Sequence, residues 1–265
     1  MATLAAPFSG PAPKDIPLPR APLLRVLTQI RFPIIVSIDK QDFIAPFQEA
    51  IRGEFPNFQS EQGKSILIGP EGVKLQDQVI WRFASLDNSS VVSLSQGFIA
   101  LEVTEYRGKE HFLKLLLPIL KAAQDAFHPS RSERIGLRYI NRLHGDDLAG
   151  LESYFRPEVH GVLSTEIGLN LKHSITETLI DTGIEGLSIL ARWGLLGMNL
   201  THDPVAVPPI GEKSWILDID AFAEPGKSFN SAELISRMDS LADADYRFFR
   251  WATTDDCLRY FGGAI

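Results

Sequence analysis

The alternation of apolar and polar residues changes period along the chain, and each change marks an element. Residues 23–32 are rich in branched side chains, stop at Pro33 and predict a strand. From Asp42 to about Glu54 the period lengthens. Phe43, Phe47 and Ile51 recur every fourth residue, so a helix is expected, with Asp42 as its cap and Pro46 tolerated near its first turn. Between Lys64 and Tyr106 short alternating runs are broken by turn sequences at residues 69–72, 87–90 and 96–97, the pattern of an antiparallel meander. A helical period then runs over residues 109–127, with Phe112, Leu115, Leu116, Ile119 and Ala123 on its apolar side and Pro118 placed to kink it. Residues 134–143 return to strand.

From there the order starts again. A short helix near residues 146–155 leads to expected strands near 162–171, 174–180, 187–196 and 214–222, and helices fill 231–261. Asn230 with Glu233 forms an asparagine version of a capping box, and Thr253 with Asp256 marks a second cap before the last turns. Local echoes accompany the repeated order: Ile30-Arg31-Phe32 resembles Leu137-Arg138-Tyr139, and residues 101–106 resemble 217–222. The predicted fold is therefore α+β, two tandem strand–helix–antiparallel-strands–helix modules at 23–132 and 133–265, packed together with helices on one face of the sheet. Residues 1–22, rich in Ala and Pro, form an extended tail, either mobile or strapped along the body. Helices on one side leave the other sheet face to water, a ligand or a partner.

Composition narrows the classes. With 265 residues, 45% hydrophobic, the chain has material for a substantial core. No apolar run approaches the ~20 residues of a membrane span. The single cysteine, Cys257, excludes an internal disulfide framework, fits a reducing compartment and, together with the absence of a signal-peptide pattern, places the chain in the cytoplasm. A net charge of −7 argues against broad capture of nucleic acid or anionic lipid.

The sequence motifs of catalysis fail on spacing. Gly63-Lys64-Ser65 lacks the glycine that a phosphate loop needs at position 58, which is Phe58, and no dinucleotide fingerprint follows a strand. His111, His128, His144, His160, His173 and His202 are scattered without metal-ligand spacing, and Cys257 reads as a buried structural thiol. No catalytic residue, metal site or cofactor is expected. Trp81, Phe98, Tyr106 and Trp193 read as packing aromatics. Asp218 and Asp220 share a strand face; the alternation puts Trp215, Leu217 and Ile219 inside and the aspartates on the wet side, with a shared cation or acid–base role as the alternative. The most suggestive cluster is Arg138-Tyr139-Ile140-Asn141-Arg142, in which the two arginines point one way and Tyr139 and Asn141 the other. An arginine pair on an open face grips a carboxylate or phosphate by forked hydrogen bonds, or Arg138 pairs with Glu102 or another strand carboxylate and fixes register. Arg31, Arg138, Tyr139, Asn141 and Arg142 are the candidate ligand- or partner-binding residues.

Residues 21–24 running into Gln29-Ile30-Arg31-Phe32-Pro33, Trp81-Arg82-Phe83 with Asp87, Tyr106, and above all residues 136–143 (GLRYINRL) resemble a sporadically distributed bacterial family of similar length. The resemblance covers about residues 20–145 and implies no transferable chemistry; the family's patchy distribution suggests defence or toxin–antitoxin neighbourhoods. The duplicated element order also resembles the saddle of the TATA-binding-protein-like fold. A DNA-gripping saddle needs a basic concave face, whereas Lys and Arg total 26 against 33 Asp and Glu, so nucleic acid is not the expected partner. The expected function is a non-catalytic binding or assembly protein that recognises a protein partner or a copy of itself. A small anionic ligand or an enzymatic site held by arginines on the open face, and a nucleic-acid saddle, are the alternatives.

Overall fold

The structure is a computed structural model describing residues 7–69, 72–184, 186–224, 226 and 228–265, with the side chains of 64–69 and 72–77 not among those described. In chain order the elements are β1 (Leu23–Arg31), α1 (Gln41–Ile51), β2 (Asn57–Gly69), β3 (Gly72–Ala84), β4 (Ser90–Ser95), β5 (Phe98–Val103), α2 (Lys109–Phe127), β6 (Arg134–His144), α3 (Gly145–Ala149), α4 (Leu151–Tyr154), β7 (Ser174–Asp181), β8 (Leu187–Leu196), β9 (Ser214–Ala223), α5 (Ser231–Ala252) and α6 (Asp255–Tyr260). The fold is α+β with antiparallel strands, as the element pattern predicts. The expected turn at residues 70–71 lies outside the described residues; Gly63 lies within β2, in no phosphate-loop context.

Two compact units make up the chain. An early unit comprises Leu27–Gly136 with Glu224–Asp239, and a late unit comprises Met1–Val26, Leu137–Ala223 and Ser240–Ile265. The crossings fall inside β1, β6 and α5 and just after β9. In the early unit the strands run β2-β3-β4-β5-β1, and in the late unit β6-β9-β8-β7. In each, the strand that comes first in sequence lies beside the one that comes last.

The apolar stripes of α1 and α2 close the early core: the Phe47 ring lies 5.5 Å from that of Phe83 and 5.3 Å from that of Phe127. The Trp81 indole donates to the Ile38 carbonyl at 2.7 Å, satisfying its one polar atom. The start of α5 belongs here too. The Asn230 side-chain oxygen accepts from the amides of Ala232 and Glu233, the expected N-cap.

In the late unit β8 alternates cleanly. Leu187, Ile189, Ala191 and Trp193 are buried while Ser188, Leu190 and Arg192 are only half-buried. Trp193 meets Phe248 of α5 on the buried side, so helix covers that face. The Pro-rich segment is a strap: the Tyr246 hydroxyl of α5 donates to the Lys14 carbonyl at 3.0 Å and accepts from the Ile16 amide at 2.9 Å, and Arg247 donates to Gly10.

Three local expectations are corrected. Asp42 does not cap α1: it lies inside the first turn, and the N-cap residue, Lys40, makes no side-chain cap bond. Residues 162–171 are not a strand but tight 3-10 turns at Gly161–Ser164 and Glu166–Asn170. The Ser164 and Thr165 hydroxyls donate back to the carbonyls of Gly161 and Val162, and such local bonds replace a ladder. The cap of α6 is Thr254, whose hydroxyl accepts from the Cys257 amide at 3.2 Å, while Thr253 donates to Phe249.

Candidate functional site

Register sets one row of charges across the late unit. Antiparallel pairing places Glu177 of β7 opposite Arg192 of β8, and Arg192 opposite Asp218 of β9. Strand side chains alternate, so these three share the face away from α5. Arg138 of β6 extends the row. Its Nε and Nη2 donate to the two Asp218 oxygens, both at 2.7 Å, a side-on fork of the kind that guanidinium and carboxylate planes favour. The Arg192 Nε donates to Glu177 at 2.6 Å.

The 197–213 segment comes over the β6–β9 end of this row. The Arg138 Nη1 donates to Asp203 at 2.8 Å, and the His202 Nε2 lies 3.0 Å from Asp218 Oδ2. The segment holds its own shape: the Asp203 amide donates to the Thr201 hydroxyl, and the Asp203 side chain accepts from the Ala206 amide. Asp218 is consequently 0% exposed. The expectation of a wet Asp218 is overturned, because β9 is covered on both faces at this point; Asp220 remains half-buried. Burial pushes the Asp218 carboxyl up, but the bonds from Arg138 and His202 outweigh it and hold the group below the usual carboxylate range. Asp203 follows the same balance, burial against the Arg138 bond, and is also held low.

The structure brings Arg138, Tyr139, Asn141 and Arg142 together on β6, whereas Arg31 is exposed at the end of β1 and belongs to the early unit. Their situations differ. Arg138 is neutralised by strand and loop carboxylates, the structural alternative in its reading, with Asp218 rather than Glu102 as partner. Asn141 is buried, and its amide donates to the Leu217 carbonyl at 3.3 Å. Tyr139 is half-buried. Arg142 is 7% exposed, and its Nη1 donates to the Pro208 carbonyl at 2.8 Å. No carboxylate pairs with it among the described residues, and Arg25 stands beside it. Burial and that neighbouring cation pull its guanidinium below its usual range.

Sequence reading missed Asp203, His202, Arg192 and Glu177. The polar alternation of β7 and β8 carried a signal for the last two, but which polar residue faces which depends on pairing. His202 and Asp203 sit in a loop with no periodicity to place them. Cys257 is buried, and burial pushes its thiol up to about 12, an inert side chain. Among the described residues no group of three or more His, Cys, Asp and Glu could hold a metal ion, and no helix is long and apolar enough to cross a membrane. Compared with protein-family models and with curated proteins, the chain matches none of either.

Proposed function

We propose that the chain is a non-catalytic binding protein, and that the uncovered face of β7 and β8 takes a protein partner with basic and apolar side chains. One observation carries this: Leu179, in the middle of β7, is 68% exposed, on the face where β8 turns half-buried Leu190 and Arg192 outward. An exposed apolar residue inside a strand is unremarkable alone, but here it continues into Leu190 beside it and Phe222 on β9. Glu177, Asp181 and Asp220 rim the same face, and Arg192 is the cation among them, so the rim favours a basic partner over a second copy with the same acidic charge. The polar groups best suited to chemistry, Arg138, Asp203 and Asp218, are engaged with one another.

The test uses a fluorescent strand peptide alternating Lys and Leu, with a Glu–Leu counterpart as control. The Lys–Leu peptide binds saturably and more weakly as salt rises, the Glu–Leu peptide does not, and Leu179→Lys abolishes binding while thermal unfolding stays unchanged. Binding that survives Leu179→Lys, or no binding at all, refutes the reading. A dimer in light scattering that Leu179→Lys dissociates gives the face to a second copy and refutes it as well.

A further inference from the structure

Arg138 and Arg142 lie on the same strand and, four residues apart, point to the same side. The edge of Arg138 formed by Nε and Nη2 grips the Asp218 carboxylate. The same edge of Arg142 makes no hydrogen bond: Nε and Nη2 are both buried without a partner, while Nη1, on another edge of the guanidinium, donates to the Pro208 carbonyl. A buried guanidinium with two unmatched donors is costly, and side-on forks are shaped for two oxygens of one anion.

A second orphan lies at the same level. β6 and β9 are neighbours in the sheet, and the contacts Arg138–Asp218 and His144–Glu212, taken as level pairs on antiparallel strands, set Ser214 of β9 level with Arg142. Ser214 is 1% exposed, and its hydroxyl also has no hydrogen-bond partner. The carboxylate two residues before it, Glu212, is turned to the surface, where it meets His144 at 3.0 Å with both side chains about half exposed. Arg25 adds a second positive charge; its Nη1 donates to the Val205 carbonyl at 3.2 Å. The loop from Thr201 to Pro208 thus reaches both Arg25 and Arg142 through carbonyl oxygens, those of Val205 and Pro208.

We propose that the unpartnered edge of Arg142, together with the Ser214 hydroxyl and the charge of Arg25, is a binding site for a small oxyanion, a carboxylate or a phosphate, beneath the 201–208 loop. Two N–H donors take two oxygens of the anion, and the serine hydroxyl donates to one of them. The bound charge offsets both the burial and the neighbouring Arg25 charge that hold Arg142 below its usual range. Arg138 has no part in this site, since Asp218 already fills its fork. The site stands apart from the β7–β8 face, so either reading survives failure of the other.

The experiment is calorimetric titration of the dialysed full chain with inorganic phosphate and, separately, with acetate, at ionic strength held constant with sodium chloride. At least one probe binds saturably in the millimolar range or tighter, and which one does identifies the anion class. Arg142→Lys keeps the charge but loses the fork, and weakens that binding about tenfold. Ser214→Ala, nearly isosteric, weakens it several-fold. Thermal unfolding gives an independent reading: in dialysed protein Arg142→Met melts no lower than the parent, and the bound probe raises the parent's Tm but not the variant's. The site is refuted if neither probe binds, if Lys and Ala variants bind like the parent, or if Arg142→Met melts far below the parent in anion-free buffer.

Discussion

Replacing Asp218 by Asn keeps the shape of the side chain and removes its charge, at a position with 0% exposure. In the parent, two Arg138 donors at 2.7 Å and His202 at 3.0 Å converge on this carboxylate. The amide still accepts one of the Arg138 bonds, but its NH2 group then faces a second donor, and the guanidinium loses its buried counter-charge. Breaking a buried ion pair from one side costs about 3–5 kcal/mol. Two features reduce that here: the Arg138 side chain is 18% exposed, and Asp203 stays in place. The expected loss is therefore about 2–4 kcal/mol. Arg138→Met strands the carboxylate instead and costs a similar amount. The Arg138→Met, Asp218→Leu double variant removes both charges and fills the space with apolar atoms, and is expected within about 1 kcal/mol of the parent, far above the sum of the singles. Urea unfolding of these proteins and of Asp218→Leu alone, which with the parent, Arg138→Met and the double variant closes the cycle, is followed by tryptophan fluorescence with Trp193 and Trp215 reporting on the late unit. A double variant as unstable as the two single losses added together would refute the view that these charges mainly neutralise each other. It would mean that each holds something else, such as the 197–213 loop, independently.

Three further outcomes follow from particular groups. Asp203 and Asp218 are held below their ordinary value of 3.8 in the folded chain, so the stability they contribute is complete above that pH and is lost as pH falls through their lower folded values; Asp218→Asn flattens this acid limb of a pH–stability curve. Asp245 behaves oppositely. It is 1% exposed on the apolar stripe of α5 and neither oxygen has a hydrogen bond of ordinary geometry; burial, then the nearby Asp220, pushes it well above 3.8. The unfolded chain releases this proton first as pH rises, so Asp245 erodes stability between 3.8 and its folded value, and Asp245→Asn raises stability at neutral pH by about 1–3 kcal/mol in urea unfolding. Gly194→Ala, at φ +147°, sets a Cβ 2.0 Å from the Ser174 carbonyl oxygen and pushes β7 off β8, lowering stability by about 2 kcal/mol or more in the same assay.

Much of the architecture was legible because it rests on local rules. Period and breakers located nearly every helix and strand, and Asn230 caps α5 as expected, while the Glu233 side chain accepts from Ser228. The reading failed where local hydroxyl bonds overrode an apolar run, at residues 162–171, and where a loop rather than a strand decided exposure, at Asp218. The site shows the limit most sharply. Arg138 and Arg142 carry the same residue type, the same strand and the same parity, so no pattern separates them. Their difference is made across the sheet and above it. One meets Asp218 and Asp203, and the other meets the Pro208 carbonyl and no carboxylate among the described residues. Alternation along a strand says which side a guanidinium faces; only pairing and loop closure say whether its charge is balanced there. A self-satisfied arginine serves stability. An unbalanced one four residues away, kept under a folded loop at an energetic cost, is where binding chemistry is to be sought.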